Sequence, residues 1–337
     1  MATASNKVVR KRARALRRGA NAVFTDVIEE VGDRGEIFGP MTETVQTSNR
    51  VEYFDWLGDF AEVTRWDGER ELADFKAFGF NIKPEHWEVS LKIDADDLAD
   101  ERMSMYTRRI QQRAQRFELH RRELLMQRLA HAFDRDGYDG VSFVSDQHPL
   151  YERVGDAEDS YVQESTQSNI ITDGTTANFK LARNYKTALA IDEKVLYEIR
   201  TVRGSTGERI AVEPDTVVVP ESQRSVAEDV FNEDMIRDES LGEMVPNPIS
   251  PDMEIVADDE LDRQGFTEGF FLVDTSNPVL MPMIYLLRQG VETESLLENS
   301  EHAMKNNEFV YGADARYNVG FGHWQAVFAS DGSGGTL

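Results

Sequence analysis

The residues best equipped for proton transfer or metal binding are six histidines, His86, His120, His131, His148, His302 and His323. None stands four residues from another, so no helical pair of metal ligands arises. Serine, histidine and aspartate are all present, but no serine sits in a nucleophile-elbow sequence. DRDGYDG (Asp134–Gly140) has part of the carboxylate spacing of a calcium loop without its closing glutamate, and reads as a turn that ends a helix. GSTGE (Gly204–Glu208) lacks the Lys-Ser/Thr of a phosphate-binding loop and reads as a turn between helix and strand. His148-Pro149 reads as a loop-holding pair. YGADARYNVGFG (Tyr311–Gly322) gathers enough polar side chains to pass for an active site. The physical reading preferred is a tight strand entry, with Asp314 and Arg316 as structural braces. The chain has no cysteine, which excludes disulfides, thiolate zinc sites and thiol catalysis and fits intracellular assembly. No catalytic residue, metal or cofactor is expected.

Charge is the stronger signal. Residues 1–18 contain Lys7, Arg10, Lys11, Arg12, Arg14, Arg17 and Arg18 and no acid, and residues 102–128 contain eight arginines beside only Glu118 and Glu123. Of the 37 basic and 62 acidic residues in the chain, these islands take 15 and 2, leaving 22 against 60. Two basic islands in an acidic body suit a protein with one face toward nucleic acid and another toward solvent. The candidate inward-facing residues are the seven N-terminal cations together with Arg109, Arg113 and Arg116. They would meet DNA or an acidic scaffold through sequence-independent, salt-sensitive contacts. The alternative is that the helix arginines make ion pairs or simply solvate a helix.

These residues need elements to hold them. Gly32–Pro40 is a breaker cluster that closes a basic, amphipathic lead. RELADFKAFGFNI (Arg70–Ile82) and HWEVSLKID (His86–Asp94) read as the arms of a long β-hairpin turning at Lys83–His86. Trp87, Val89, Leu91 and Ile93 share one face of the second arm. An isolated hairpin is marginal in water, so its apolar residues must lie against something. Phe78, Phe80, Trp87 and Val89 are the candidates to contact a neighbouring subunit, the alternative being packing within their own. A long helix follows to about Phe133, its apolar stripe formed by Met103, Tyr106, Ile110, Ala114, Phe117, Leu124, Leu125 and Ala132. Arg121 and Arg128 fall in that stripe and must find carboxylates, carbonyls, solvent or a partner. Gly137 and Gly140 supply a stop. Residues 150–178 show no period and read as a surface excursion, 178–203 as a helix, and the second half as short strands and helices. The tail DGSGGTL reads as disordered. The class is α+β. No apolar run approaches the ~18 residues that a membrane-spanning helix needs.

Several strings in this order resemble one family. YFDWLGDFAEVTRWDGER (Tyr53–Arg70), IDADDLADERMSMY (Ile93–Tyr106), YDGVSFVSDQHP (Tyr138–Pro149), VEPDTVVVPESQRSVAEDVF (Val212–Phe231), FFLVDTSNPVLMPMIYLLR (Phe270–Arg288) and YGADARYNVGFGHWQ (Tyr311–Gln325) are similar to the Mu-type phage major head subunit. The resemblance spans roughly residues 50–330. It implies the tailed-phage major capsid fold of the Hong Kong ninety-seven type. The implied parts are a basic N-terminal arm and lead-in over 1–60, an extended hairpin loop over 61–94, and a peripheral domain over 95–177 with a spine helix at about 97–134. An α/β axial domain follows over 178–308, strands 309–330 return to the peripheral domain, and 331–337 is a disordered tail.

The implied function is a major capsid protein, not an enzyme, assembling in the host cytoplasm into hexamers and pentamers of an icosahedral virion shell. Its implied partners are copies of itself, a separate scaffold protein, a portal and packaged double-stranded DNA, with no membrane. A separate scaffold is expected because only about 50 residues precede the matched region. An encapsulin-like nanocompartment shares the architecture and would lack packaged DNA. A monomeric nucleic-acid-binding protein or a hydrolase would stay small in sedimentation.

Overall fold

The computed structural model describes residues 38–58, 79–99, 103–153, 161–249, 253–296 and 307–337, together with Lys11 and Ala15. In chain order the elements are β1 (Thr42–Gln46), β2 (Glu52–Tyr53), β3 (Asn81–Ile82), β4 (Glu85–Asp94), α1 (Ala95–Ala99), α2 (Met103–Ala130), β5 (His148–Arg153), β6 (Tyr161–Gln167) and β7 (Phe179–Lys180). Helix α3 (Tyr185–Ala190) runs through a π-helical turn (Ile191–Val195) into α4 (Leu196–Thr201). Then come β8 (Thr216–Pro220), α5 (Arg224–Phe231), β9 (Met235–Asp238), β10 (Glu243–Pro246), β11 (Glu254–Asp258), α6 (Asp259–Arg263), β12 (Phe270–Val273), β13 (Met283–Leu296), β14 (Glu308–Phe321), β15 (Val327–Ser330) and β16 (Gly335–Thr336).

One four-stranded sheet has the order β1-β13-β14-β4, and α2 lies across its β14 and β4 strands. The period of two decides which side chains face the helix. On β14, Phe309, Tyr311, Ala313, Ala315 and Tyr317 are buried, while the residues between them are only half-covered. On β4 the alternation read from the sequence holds: Leu91 and Ile93 are buried, and Trp87 and Val89 pack against the same core. The predicted helix stripe is also the buried one, with Tyr106, Ile110, Ala114, Phe117, Leu124, Leu125 and, just past the helix end, Ala132 inside.

The second sheet has the order β11-β8-β12-β15. All five residues of β8, TVVVP, are buried, as expected of a central strand covered on both faces. β8 and β11 are parallel and joined through α5, which buries Ala227, Val230 and Phe231. The sheets are linked where α2 meets α6. There Arg122 pairs with Asp258 and Gln127 Nε2 donates to Glu260 Oε1 at 2.9 Å.

Several expectations need correction. The described partner of β4 is β14, in antiparallel register with Ala315 opposite Trp87, while β3 pairs with β2. Lys83–His86 is therefore no hairpin turn between β3 and β4, and most of the expected first arm lies outside the described residues. The stretch read as a surface excursion without period holds most of the β5–β6 hairpin. Strands 309–330 divide: β14 stays under α2, but β15 pairs with β12 in the second sheet. The tail is ordered, for β16 runs parallel to β7 and Gly334 N donates to Asn178 O at 2.9 Å. Its glycines permit this, because a Cβ on Gly334 would stand 2.1 Å from Ala177 O. Of the two glycines offered as the helix stop, only Gly140 takes positive φ, at 83°.

Candidate functional site

Among the predicted basic residues, Lys7, Arg10, Arg12, Arg14, Arg17 and Arg18 lie outside the described residues, and Lys11 is exposed. The α2 row is not uniform. Arg109 is exposed, its guanidinium 5.8 Å from the Tyr106 ring centroid, with no carboxylate partner among the described residues. Arg113 is tied down, its Nε donating to Ser90 O at 3.1 Å and its Nη1 to Arg109 O at 3.2 Å. Arg116 pairs with Glu123. Free positive charge on the described helix surface therefore concentrates toward its N-terminal half, at Arg108 and Arg109.

The buried-side arginines meet their requirement through carbonyls and a ring. Arg128 Nε donates to Val319 O at 3.0 Å, and its Nη2 lies 3.4 Å from Asn318 Oδ1. Arg121 stands 5.8 Å from the Tyr285 ring centroid. Burial lowers the pKa of Arg128, with Arg135 adding like-charge repulsion.

The residues expected to reach a neighbour are held at home. Phe78 lies outside the described residues. Phe80 and Val89 pack against the chain's own core. Trp87 is the most constrained: its Nε1 donates to Tyr317 O at 3.0 Å, and its ring meets His120 edge-on with centroids 4.3 Å apart. His120 in turn lies 2.9 Å from Tyr317 Oη. Trp87 and Val89 lie on the α2-facing side of β4 and, like Phe80, are half-buried within the single chain.

Asp314 makes its hydrogen bonds across the sheet and not to Arg316. It lies 3.1 Å from His86 Nε2 on β4 and 3.4 Å from Gln289 Nε2 on β13, so it ties three strands on the face away from α2. Arg316 keeps its Nε buried without a hydrogen-bond partner among the described residues.

The densest polar cluster is one the sequence reading did not find. His148 is fully buried; its Nδ1 donates to Asp139 Oδ2 at 2.6 Å and its Nε2 lies 3.1 Å from Asn169 Oδ1. The asparagine's orientation is fixed by its other partners. Its Nδ2 donates to Phe143 O and Val327 O, both at 2.9 Å, and its Oδ1 accepts from Ser145 N at 2.8 Å. Both imidazole nitrogens thus lie within hydrogen-bond reach of oxygen atoms, which fixes the plane of the ring. Trp324 stacks on it, centroids 4.0 Å apart and planes at 7°.

Beside this pair, Tyr138 Oη bonds Ser205 Oγ at 3.0 Å and accepts from Gln325 Nε2 at 2.9 Å. Burial raises the pKa of Tyr138, so it remains a neutral phenol. Gly58 closes the cluster from above with φ at 86°, where a Cβ would stand 2.5 Å from the Tyr138 ring. His323 adjoins it, accepting from Met281 N at 3.1 Å, and burial pushes its pKa down to about 4. Nothing in this arrangement presents a nucleophile to solvent. It fastens the turn after α2, the β5 strand and the segment leading into β15.

Residues 13–188 and 250–333 match the family described as Mu-like prophage major head subunit gpT. The major capsid protein of Escherichia phage Mu is 27% identical over 117 residues, which are 35% of this chain and 38% of that protein. The Mu-like prophage FluMu major head subunit of Haemophilus influenzae is 22% identical over 289 residues, 86% of this chain and 64% of that protein. The matched regions thus span less than two thirds of the length of either relative. Among solved structures, the procapsid of bacteriophage JBD30 superposes with a TM-score of 0.55 at 19% identity, covering 94% of this chain and 74% of that one.

Proposed function

Because the chain belongs to the Mu-like prophage major head subunit family, we propose that it is the non-enzymatic subunit that builds the head shell of a tailed virus. The observation that carries this reading is the pairing of that family with the tailed-phage capsid fold, in which the 28-residue helix α2 spans a long-stranded sheet. A shell needs a rigid tile whose surface contacts are weak singly and strong together. The sheet, the helix and the buried His148 junction supply rigidity. The axial part is the second sheet with its helices, and the peripheral part is α2 with the first sheet.

The remaining partners belong to the same reading. The exposed Arg108–Arg109 end of α2 and the basic N-terminal segment face the interior, where they meet packaged double-stranded DNA or an acidic scaffold. Phosphate contacts of this kind carry no sequence information and weaken with salt. The shell holds hexamers and pentamers, receives a portal, and assembles in the host cytoplasm. Sedimentation of the full chain, with a scaffold co-produced and nuclease added, tests the proposal. Large particles that protect double-stranded DNA are expected from an infected or induced host. Particles holding no nucleic acid there favour a nanocompartment, and a strictly monomeric protein contradicts the proposal.

A further inference from the structure

The β9–β10 ribbon carries apolar side chains on a surface that nothing in the chain covers. Paired residues share a face, so Ile236 and Val245 turn inward while Met235, Arg237, Met244 and Pro246 lie on the outer side. Met235 and Met244 are 43 and 56% exposed, and Leu241 at the tip is 67% exposed. The tip is preformed. Asp238 Oδ1 accepts from Ser240 N at 2.8 Å and from Leu241 N at 3.3 Å, and Gly242 takes a φ of 74°. Leu241 is thus held out in solvent by the turn itself, on a ribbon that gains little stability alone.

Charge sets the chemistry of what would cover this surface. Glu233, Asp234, Asp238, Glu239 and Glu243 lie on the ribbon and at its base, and none has an ion-pair partner among the described residues. The cations are fewer: Arg237 on the ribbon, and Lys186 on α3, the helix packed against β9. Arg183, just before α3, is already paired with Asp229. Five acids against two cations leave an acidic rim around exposed methionine and leucine. Methionine adapts its shape to a partner, and an acidic surface of this kind fits the apolar face of a basic amphipathic helix. The chain carries such a segment. Residues 1–18 hold seven cations and no acid, and Val9, Ala13, Leu16 and Ala20 recur at helical spacing. Lys11 and Ala15, the described residues there, are helical and exposed. The stretch between Arg18 and Phe38, where the described fold begins, is long enough to span about 65 Å when extended.

We propose that in the unassembled subunit the segment Lys7–Arg18 docks as a helix on the β9–β10 ribbon of its own chain. Val9, Ala13 and Leu16 would pack on Leu241 and Met244, and Arg12 and Arg17, which flank that apolar stripe, would face Glu239 and Glu243. The contact covers the basic segment until the subunit joins a shell, in which the same cations then meet DNA or an acidic scaffold. It goes beyond the shell reading and does not depend on it, because it concerns the single chain.

The chain has no cysteine, so an engineered disulfide can report the contact. The full-length variant Leu16→Cys with Leu241→Cys is held dilute, where it sediments as a monomer, and oxidised. A monomeric band on a non-reducing gel with both thiols lost is expected. Docking raises the local concentration of the two thiols, so closure should run roughly tenfold faster than in the control pair Leu16→Cys with Val162→Cys, whose second site is exposed on β6. Equal rates for the two pairs overturn the inference, and so do covalent dimers in place of the closed monomer. Glu239→Lys with Glu243→Lys should bring the rate down to that of the control, and Arg12→Glu with Arg17→Glu in the same chain should restore it. Circular dichroism confirms that each variant folds. Folded charge variants that close as fast as the parent overturn the inference too. Particle formation is read separately by sedimentation, so failure of the docking and failure of the shell reading are distinguishable.

Discussion

Replacing His148 with alanine leaves the Asp139 carboxylate buried and unpaired, removes a donor from Asn169 and opens space beneath Trp324. Leaving a buried hydrogen-bonding group without its partner costs about 1–3 kcal/mol, and the lost packing adds to it. Chemical denaturation of the unassembled subunit should show a loss of that size, and a loss under ~1 kcal/mol would mean the junction is not held as described. His323 makes a second, pH-dependent claim. Its pKa falls from an ordinary value of 6.5 to about 4 on folding, so between those values the unfolded chain binds more protons. Its contribution is complete above pH 6.5, is lost as the pH falls toward 4, and levels off below. The shift corresponds to about 3 kcal/mol. Burial also lowers the pKa of His120, so it acts on the same acid limb. His323→Asn should flatten stability between pH 6.5 and 4, and an unchanged slope would contradict the assignment. The turn at Asp134–Gly140 and a loop-holding role for His148 were legible in the sequence, but the partners of His148 were not. Asn169 lies 21 residues from His148 and 158 from Val327, and only the fold brings them together.

At the scale of elements, legibility followed periodicity. The apolar stripe of α2 and the alternation of β4 were readable because each has one buried face, and a fixed period is what one-sided burial writes into a sequence. The β5–β6 hairpin escaped because Val162 through Thr166 are all exposed, so no face is marked. The ordered tail escaped for a similar reason: its glycines serve close backbone approach, which looks the same in sequence as flexibility. Partners, unlike periods, are not written locally, and so the neighbour of β4 was misread. Trp87 shows the consequence. A residue expected to bind another subunit makes contacts within its own chain, through its indole hydrogen bond to β14 and its ring contact with His120 on α2. Trp87→Ala should destabilise the isolated subunit by about 3–5 kcal/mol. Normal subunit stability with failed assembly would return Trp87 to an intersubunit role.

For the whole molecule, the charge division seen in composition is only partly a division of surface. The structure pairs Arg116 and Arg122 with Glu123 and Asp258, while Arg108 and Arg109 are exposed on α2 with no ion-pair partner among the described residues. A closed shell gives that cationic end of α2 a place toward the interior. Cryo-electron microscopy of the assembled particles tests this account most directly. It predicts an icosahedral shell with α2 in every subunit and with Arg108 and Arg109 turned to the lumen. Particles without closed icosahedral symmetry, or a shell with those arginines on its outer surface, would contradict it.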